Sequence, residues 1–282
     1  MNKHNDSRHI AKAAVWTVVG RTVSMSLKFL TVPILARLLM PEEFGAIAVS
    51  ITVVIFLSML GAMGIPSALV ADKDDVTTLW NQAFTYALIV GCFLAVASAW
   101  GSGLISQSLG ATDIKTVLVA LSFLIPLNIL GDISEAALTK RMQFDKLAIW
   151  QVLADVMGAF AAISAALVHW GVWALVIQQF VSAAIRVAGN LTVMRIRPRP
   201  VWPLPDILRM GHFGSRVMFS DLLLYFCIQG PIVIVTRMLG TSATGLFSVS
   251  NRFVELPNQI ILSSLASVLF PSFVSMADQP ER

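Results

Sequence analysis

The feature that most restricts this chain is a succession of apolar stretches, each long enough to cross a bilayer and separated from the next by only a few polar residues. A hydrocarbon core of about 30 Å needs roughly 20 apolar residues in helical form, and away from water only a helix or a closed barrel satisfies its own backbone. Strand-like alternation is absent, so the stretches read as helices over 11–39, 44–70, 81–109, 114–139, 145–169, 171–194, 207–239 and 245–277. The expected fold class is therefore all-α, a polytopic membrane protein of about eight transmembrane helices. Composition agrees: with 56% hydrophobic and 13% charged residues, 282 residues hold too little polar material to cover a water-soluble globule.

Orientation follows from where positive charge is retained. With the N-terminus cytoplasmic, twelve Lys and Arg residues fall on inner segments and only Arg37, Lys115 and Arg237 on outer ones. An aromatic belt is expected at the same boundaries, with Trp16, Trp80, Trp150 and Trp202 near inner ends and Trp100, Trp170 and Trp173 near outer ends. The first apolar run is too long for a cleaved signal and lacks a small-residue cleavage site, so residues 1–10 read as a retained tail.

The chain also repeats itself. "ILARLLMPEEFGAIAVS", starting at Ile34, returns 200 positions later without a gap as "IVTRMLGTSATGLFSVS", with Ile34/Ile234, Arg37/Arg237, Leu39/Leu239, Gly45/Gly245, Val49/Val249 and Ser50/Ser250 identical. Six spans separate the two starts, so both copies enter from the same side, a parallel repeat about an axis along the membrane normal. The arginines end an outward-running helix, where a cation suits the helix dipole, and the glycines open the returning one, which makes both copies structural corners. The proline- and arginine-rich linker at 195–206 then divides a six-helix N-terminal lobe, residues 1–200, from the start of a C-terminal lobe, residues 201–282, holding the seventh and eighth helices. A complete second repeat would hold six spans, so the sequence reads as a truncated molecule.

Ionisable groups inside spans are costly, about 2.5–3.5 kcal/mol each at the bilayer centre, and are pointers to function. Arg21 and Lys28 share the first span two turns apart, at about 15 and 26 Å from its inner end, and should face a hydrated cavity rather than lipid. Arg216, Asp221, Arg252 and Glu255 stand at depth in the seventh and eighth spans, where Pro257 frees a helical carbonyl. Asp155 and Arg186 are placed to pair across neighbouring helices, and Asp132 and Glu135 to join an interfacial network with Lys140 and Arg141. Arg252 and Glu255 are one turn apart and can neutralise each other.

Other chemistries lack their signatures. No phosphate-binding GxxxxGK[ST] loop is present, the histidines are isolated, and no SxxK pair exists, so the chain reads as a non-enzyme that needs no metal and no cofactor. Basic residues are scattered in short loops without an aromatic-interleaved face, which argues against nucleic acid. Cys92 and Cys227 lie in apolar runs and read as inert packing thiols, and the "NLT" triplet at Asn190 as chance.

The segments "GRTVSMSLKFLTVPILARLLMPEEFGAIAVS", "LTKRMQFDKLA", "GVWALVIQQF" and "LGTSATGLFSVSNRFVELPNQ", followed by "LFPSFVSMADQPER", resemble the Wzx-type polysaccharide-repeat-unit flippases of the multidrug/oligosaccharidyl-lipid/polysaccharide exporter superfamily. The resemblance implies two lobes around a V-shaped cavity in a bacterial inner membrane. It also implies a substrate, an undecaprenyl-pyrophosphate-linked oligosaccharide moved to the outer leaflet for O-antigen, capsule or exopolysaccharide assembly, with membrane lipids, the polymerase and the export machinery as partners. Cationic cavity residues are implied as well, and an arginine fork suits pyrophosphate. Arg21, Lys28, Arg216 and Arg252 are the candidate substrate contacts, and Asp155, Asp221 and Glu255 the candidates for a coupling cation. The alternatives are a multidrug-type cation antiporter on the same scaffold, which should show a net acidic cavity, and an inactive fragment of the flippase.

Overall fold

A computed structural model of the chain describes the backbone over residues 3–71, 76–111, 114–194, 201 and 205–277, and side chains over 19–20, 22–71, 79–111, 114–194, 201 and 214–254. Among the described residues the secondary structure is helical throughout: α1 (Lys3–Leu38), α2 (Pro41–Ala62), α3 (Ile65–Ala71), α4 (Val76–Ser108), α5 (Lys115–Ser122), α6 (Leu124–Lys140), α7 (Phe144–Leu167), α8 (Val172–Met194) and α9 (Pro205–Ala277). Five helices there are long and apolar enough to cross a membrane, or six if α5 and α6, bent by 42° at Phe123, form one span. The all-α, multi-pass class stands, but the expected count of eight is not reached by this measure. The seventh and eighth expected spans lie within one element, α9, interrupted at Gly240.

Each interruption has a local cause. Met63 and Gly64, at φ of 46° and 67°, turn the chain between α2 and α3. Pro126 in the first turn of α6 cannot donate a backbone hydrogen bond, so α5 ends and the chain bends there. Gly240 holds φ 83° and ψ −179°, a conformation open to glycine and not to residues with a Cβ, and the Thr244 hydroxyl donates to its carbonyl at 2.8 Å. Its counterpart Met40 instead reaches the corner in an extended conformation, with its N–H donating to the Glu43 carboxylate at 2.8 Å.

Packing relies on small residues. Ala154, Gly158, Ala162 and Ala166 recur every fourth position on α7 and are all buried, which lets α8 approach closely enough for the Ser182 hydroxyl to donate to the Ala154 carbonyl at 3.1 Å. Leu118, Leu121, Ile125, Ile129 and Ile133, with Trp80, form the centre of the core. Trp80 is fully buried and so is not part of an interfacial belt, whereas Trp100, Trp170 and Trp173 are exposed; the side chains of Trp16 and Trp202 lie outside the described ones. Cys92 and Cys227 are exposed on the outer faces of helices rather than packed inside. Asn190 is buried and donates to the Ser134 hydroxyl at 3.0 Å, in keeping with a chance triplet.

The most extensive helix contact is between α2 and α9, and it brings the two copies of the repeat together. A Cβ placed on Gly45 would meet the Thr241 carbonyl, and one on Gly245 the Pro41 carbonyl; each would also lie 3.0 Å from the backbone nitrogen of the other glycine. The reciprocity is that of a local two-fold axis between them. Ser242 donates to the Glu42 carboxylate at 2.8 Å across the same seam, again at equivalent positions 200 residues apart. Past the end of α2, Gly64 in the α2–α3 turn and Gly214 on α9 bring their backbones together in a second close contact with no room for a Cβ on either.

Candidate functional site

Between these two glycine contacts the helices part and leave a chamber of about 550 Å³. One wall is the face of α2 carrying Ile51, Val54, Ile55, Ser58 and Met59; opposite it stand polar side chains from α1, α6, α7 and α8, and α9 adds Met218 and Asp221. The exterior of the same bundle is apolar, with Phe93, Leu104, Phe160, Phe219 and Leu224 all more than half exposed. A chamber with a polar wall inside a bundle of apolar outer surface is the arrangement that lets costly charged and polar groups stay hydrated away from lipid.

Both cations of the described lining are paired with carboxylates. Lys28 on α1 meets Asp155 on α7 at 3.4 Å, and Gln151, one turn before Asp155, donates to its second oxygen at 3.3 Å. Arg186 on α8 meets Asp132 on α6 at 3.7 Å, and Gly131 beside it leaves the room that the guanidinium occupies, since a Cβ there would sit 2.8 Å from an Arg186 nitrogen. Asp155 is buried, whereas Lys28 is about half exposed to the chamber, so the cation retains partial hydration and the carboxylate depends on its partners.

The expected arrangement is corrected in several places. Asp155 and Arg186 do pair across helices, each with a different partner from the other. Asp132 faces the chamber and Arg186 rather than an interfacial network, and Arg141 instead donates to the Met194 carbonyl at 3.4 Å. Of the candidate residues, Lys28, Asp155 and Asp221 line the chamber. Arg216, exposed on α9, and Arg252, half-buried and engaged by a neighbouring group, are outside its lining. Arg21 and Glu255 fall outside the described side chains.

The described lining holds Lys28 and Arg186 against Asp132, Asp155 and Asp221, so carboxylates outnumber cations there and no cationic excess is present. Sequence reasoning passed over Asn128, Gln151, Gln179 and Ser182, which complete the polar wall. Their signal was available: amides and a hydroxyl inside apolar runs, with Gln151 and Asp155 four residues apart on one helical face. This set of amides, hydroxyls and carboxylates offers dense donors and acceptors to a polyhydroxylated or otherwise polar solute, while the α2 wall offers an apolar surface.

Residues 34–282 match a protein family described as "Polysaccharide biosynthesis protein". The chain is 38% identical over 277 residues to the succinoglycan biosynthesis transport protein ExoT of Rhizobium meliloti (strain 1021), covering 98% of this chain and 56% of that protein. It is 22% identical over 279 residues to the lipopolysaccharide biosynthesis protein WzxC of Escherichia coli (strain K12), covering 95% of this chain and 55% of that one. The chain thus spans just over half the length of these curated relatives. Among solved structures, its fold is similar to the outward-facing conformation of a multidrug resistance MATE family transporter of the MOP superfamily, with a TM-score of 0.53, 17% identity, and coverage of 94% of this chain and 71% of that one.

Proposed function

The chain belongs to the polysaccharide biosynthesis protein family, and from that premise we propose that it supplies one lobe and the opening hairpin of a flippase for undecaprenyl-pyrophosphate-linked oligosaccharide repeat units. The flippase moves them from the inner to the outer leaflet of a bacterial inner membrane, with the N-terminus cytoplasmic. The observation that carries this reading is the chamber between α2 and the polar faces of α1, α6, α7 and α8, closed in part by α9, in a bundle whose outer surface is apolar. The sugar head group occupies the chamber, held by Asn128, Gln151, Gln179 and the paired carboxylates, while the lipid tail stays among the helices' outer faces. Arg21, Lys28, Arg216 and Arg252 remain the proposed contacts of the pyrophosphate, and Asp155, Asp221 and Glu255 those of a coupling cation. Residues 1–200 and 201–282 act as the two parts that rock against each other along the α2–α9 seam in alternating access.

Export tests the proposal. In cells that depend on this gene, Gln151→Ala with Gln179→Ala should reduce surface polysaccharide and leave lipid-linked repeat units accumulated, at unchanged protein level in the membrane. Normal export from that double variant would remove the chamber as the substrate's path.

The carboxylate excess of the described lining favours a second reading, a cation-coupled multidrug antiporter on the same scaffold. That reading expects Asp221→Asn to lower resistance to cationic drugs while polysaccharide export is untouched. The flippase reading expects loss of export and unchanged drug resistance.

A further inference from the structure

The chamber's two described cations are each paired with a carboxylate, whereas Arg141 and Lys146, elsewhere in the bundle, meet neutral partners. At the end of the bundle where α6 turns into α7, Arg141, Gln143, Lys146, Trp150, Thr192, Val193 and Met194 line an open recess of about 570 Å³ whose described lining holds no carboxylate. The turn that forms it is well defined: Met142 is left-handed at φ 57°, and the N–H groups of Met142 and Gln143 donate to the carbonyls of Thr139 and Leu138 at 2.9 and 3.1 Å. Arg141 uses one nitrogen on the carbonyl of Met194, capping the C-terminal end of α8 and leaving further donors. The Lys146 ammonium has a neutral partner, the Gln143 side-chain oxygen at 3.5 Å. Asp145, though adjacent in sequence, is exposed and not part of the lining.

The floor of the recess is Trp150, seated on Gly189 so closely that any Cβ there would enter the indole ring. From it an apolar stripe runs along the exposed side of α7. Lys146, Trp150, Leu153, Met157 and Phe160 recur at spacings of four and three, which is one helical face, and Leu153, Met157 and Phe160 are 40, 42 and 68% exposed. Head-first, the face reads cation, indole, then open hydrocarbon surface. A soluble anion would use only the first of these, whereas a lipid with an anionic head uses all three.

We propose that this recess binds an anionic phospholipid, its phosphate between Arg141 and Lys146, its glycerol region against Trp150 and an acyl chain along Leu153, Met157 and Phe160. This anion site lies at the lateral surface and serves a structural lipid, apart from the chamber and whatever passes through it.

Native mass spectrometry of the full chain in detergent, titrated with dioleoyl-phosphatidylglycerol, dioleoyl-phosphatidylcholine or inorganic pyrophosphate, tests this. The expected result is preference for phosphatidylglycerol over phosphatidylcholine, weakened about fivefold by Arg141→Gln or Lys146→Gln and about twenty-five-fold by both. The charge-conserving Arg141→Lys with Lys146→Arg, which guards against a folding defect, should bind within about twofold of the parent chain. Equal phosphatidylglycerol binding by the parent and the double glutamine variant overturns the proposal. So does loss of pyrophosphate binding alone with phosphatidylglycerol unaffected, which would assign the recess to a soluble anion.

Discussion

Replacing Gly245 with alanine tests the glycine seam most directly. The added methyl would lie well under 3.0 Å from the Pro41 carbonyl and 3.0 Å from the Gly45 nitrogen, so both obstacles are backbone and neither can swing away as a side chain would. The α2 and α9 corners would have to separate by more than an ångström, which also stretches the Ser242–Glu42 hydrogen bond. Overpacking of this kind costs about 1–3 kcal/mol, offset in part by the gain of up to about 1 kcal/mol when alanine replaces glycine in a helix. Gly230, on the same helix with nothing within 4 Å of the place a methyl would take, carries only that gain. In a chain of this size, Gly245→Ala should lower the unfolding midpoint in detergent by roughly 5 °C and Gly230→Ala should raise it by roughly 2 °C. Adding Ser242→Ala to Gly245→Ala should cost less than Ser242→Ala alone, because the bond it removes is already strained. If Gly245→Ala is tolerated as well as Gly230→Ala, the corners are not in backbone contact and the two-fold seam is wrong.

Cysteines at Glu42 and Ser242, with Cys92 and Cys227 replaced by serine, should cross-link under mild oxidation and arrest export if the seam opens during transport; full activity of the cross-linked protein would refute that motion. Lys28→Met leaves buried Asp155 with the Gln151 amide as its resolved partner and should destabilise by roughly 1–2 kcal/mol, less than for a fully buried pair because Lys28 is half exposed. A double-mutant cycle with Asp155→Asn, read by detergent unfolding, should recover most of that loss, and simple additivity would exclude the pairing. Gly189→Ala should cost roughly 1–3 kcal/mol by displacing Trp150, visible as a lowered unfolding midpoint; an unchanged midpoint would show that the indole is not held against α8.

The all-helical membrane class was legible in the amino-acid order alone, because hydropathy is a local property that adds along a segment and is tested against a fixed bilayer thickness. The repeated corner was legible too, with Gly45 and Gly245 as matched positions. That these two corners touch one another was not, since a repeat fixes equivalence and not contact. The same limit explains the charges. Hydropathy marked Lys28, Asp155 and Arg186 as costly in a span, but whether a cation finds a carboxylate depends on which helices face each other and at what rotation. Lys28 and Asp155 stand on α1 and α7, far apart in sequence, and only the packing of small residues on α7 and the arrangement of neighbouring helices put them 3.4 Å apart. Trp80 shows the point from the other side: its place near a helix end suggested an interfacial anchor, yet it is fully buried, because proximity to a span's end fixes depth and not direction. It took the packed helices to establish that both described cations of the chamber have carboxylate partners and that Arg141 and Lys146 share a recess whose described lining holds none, since charge balance is a sum over neighbours in space rather than along the chain.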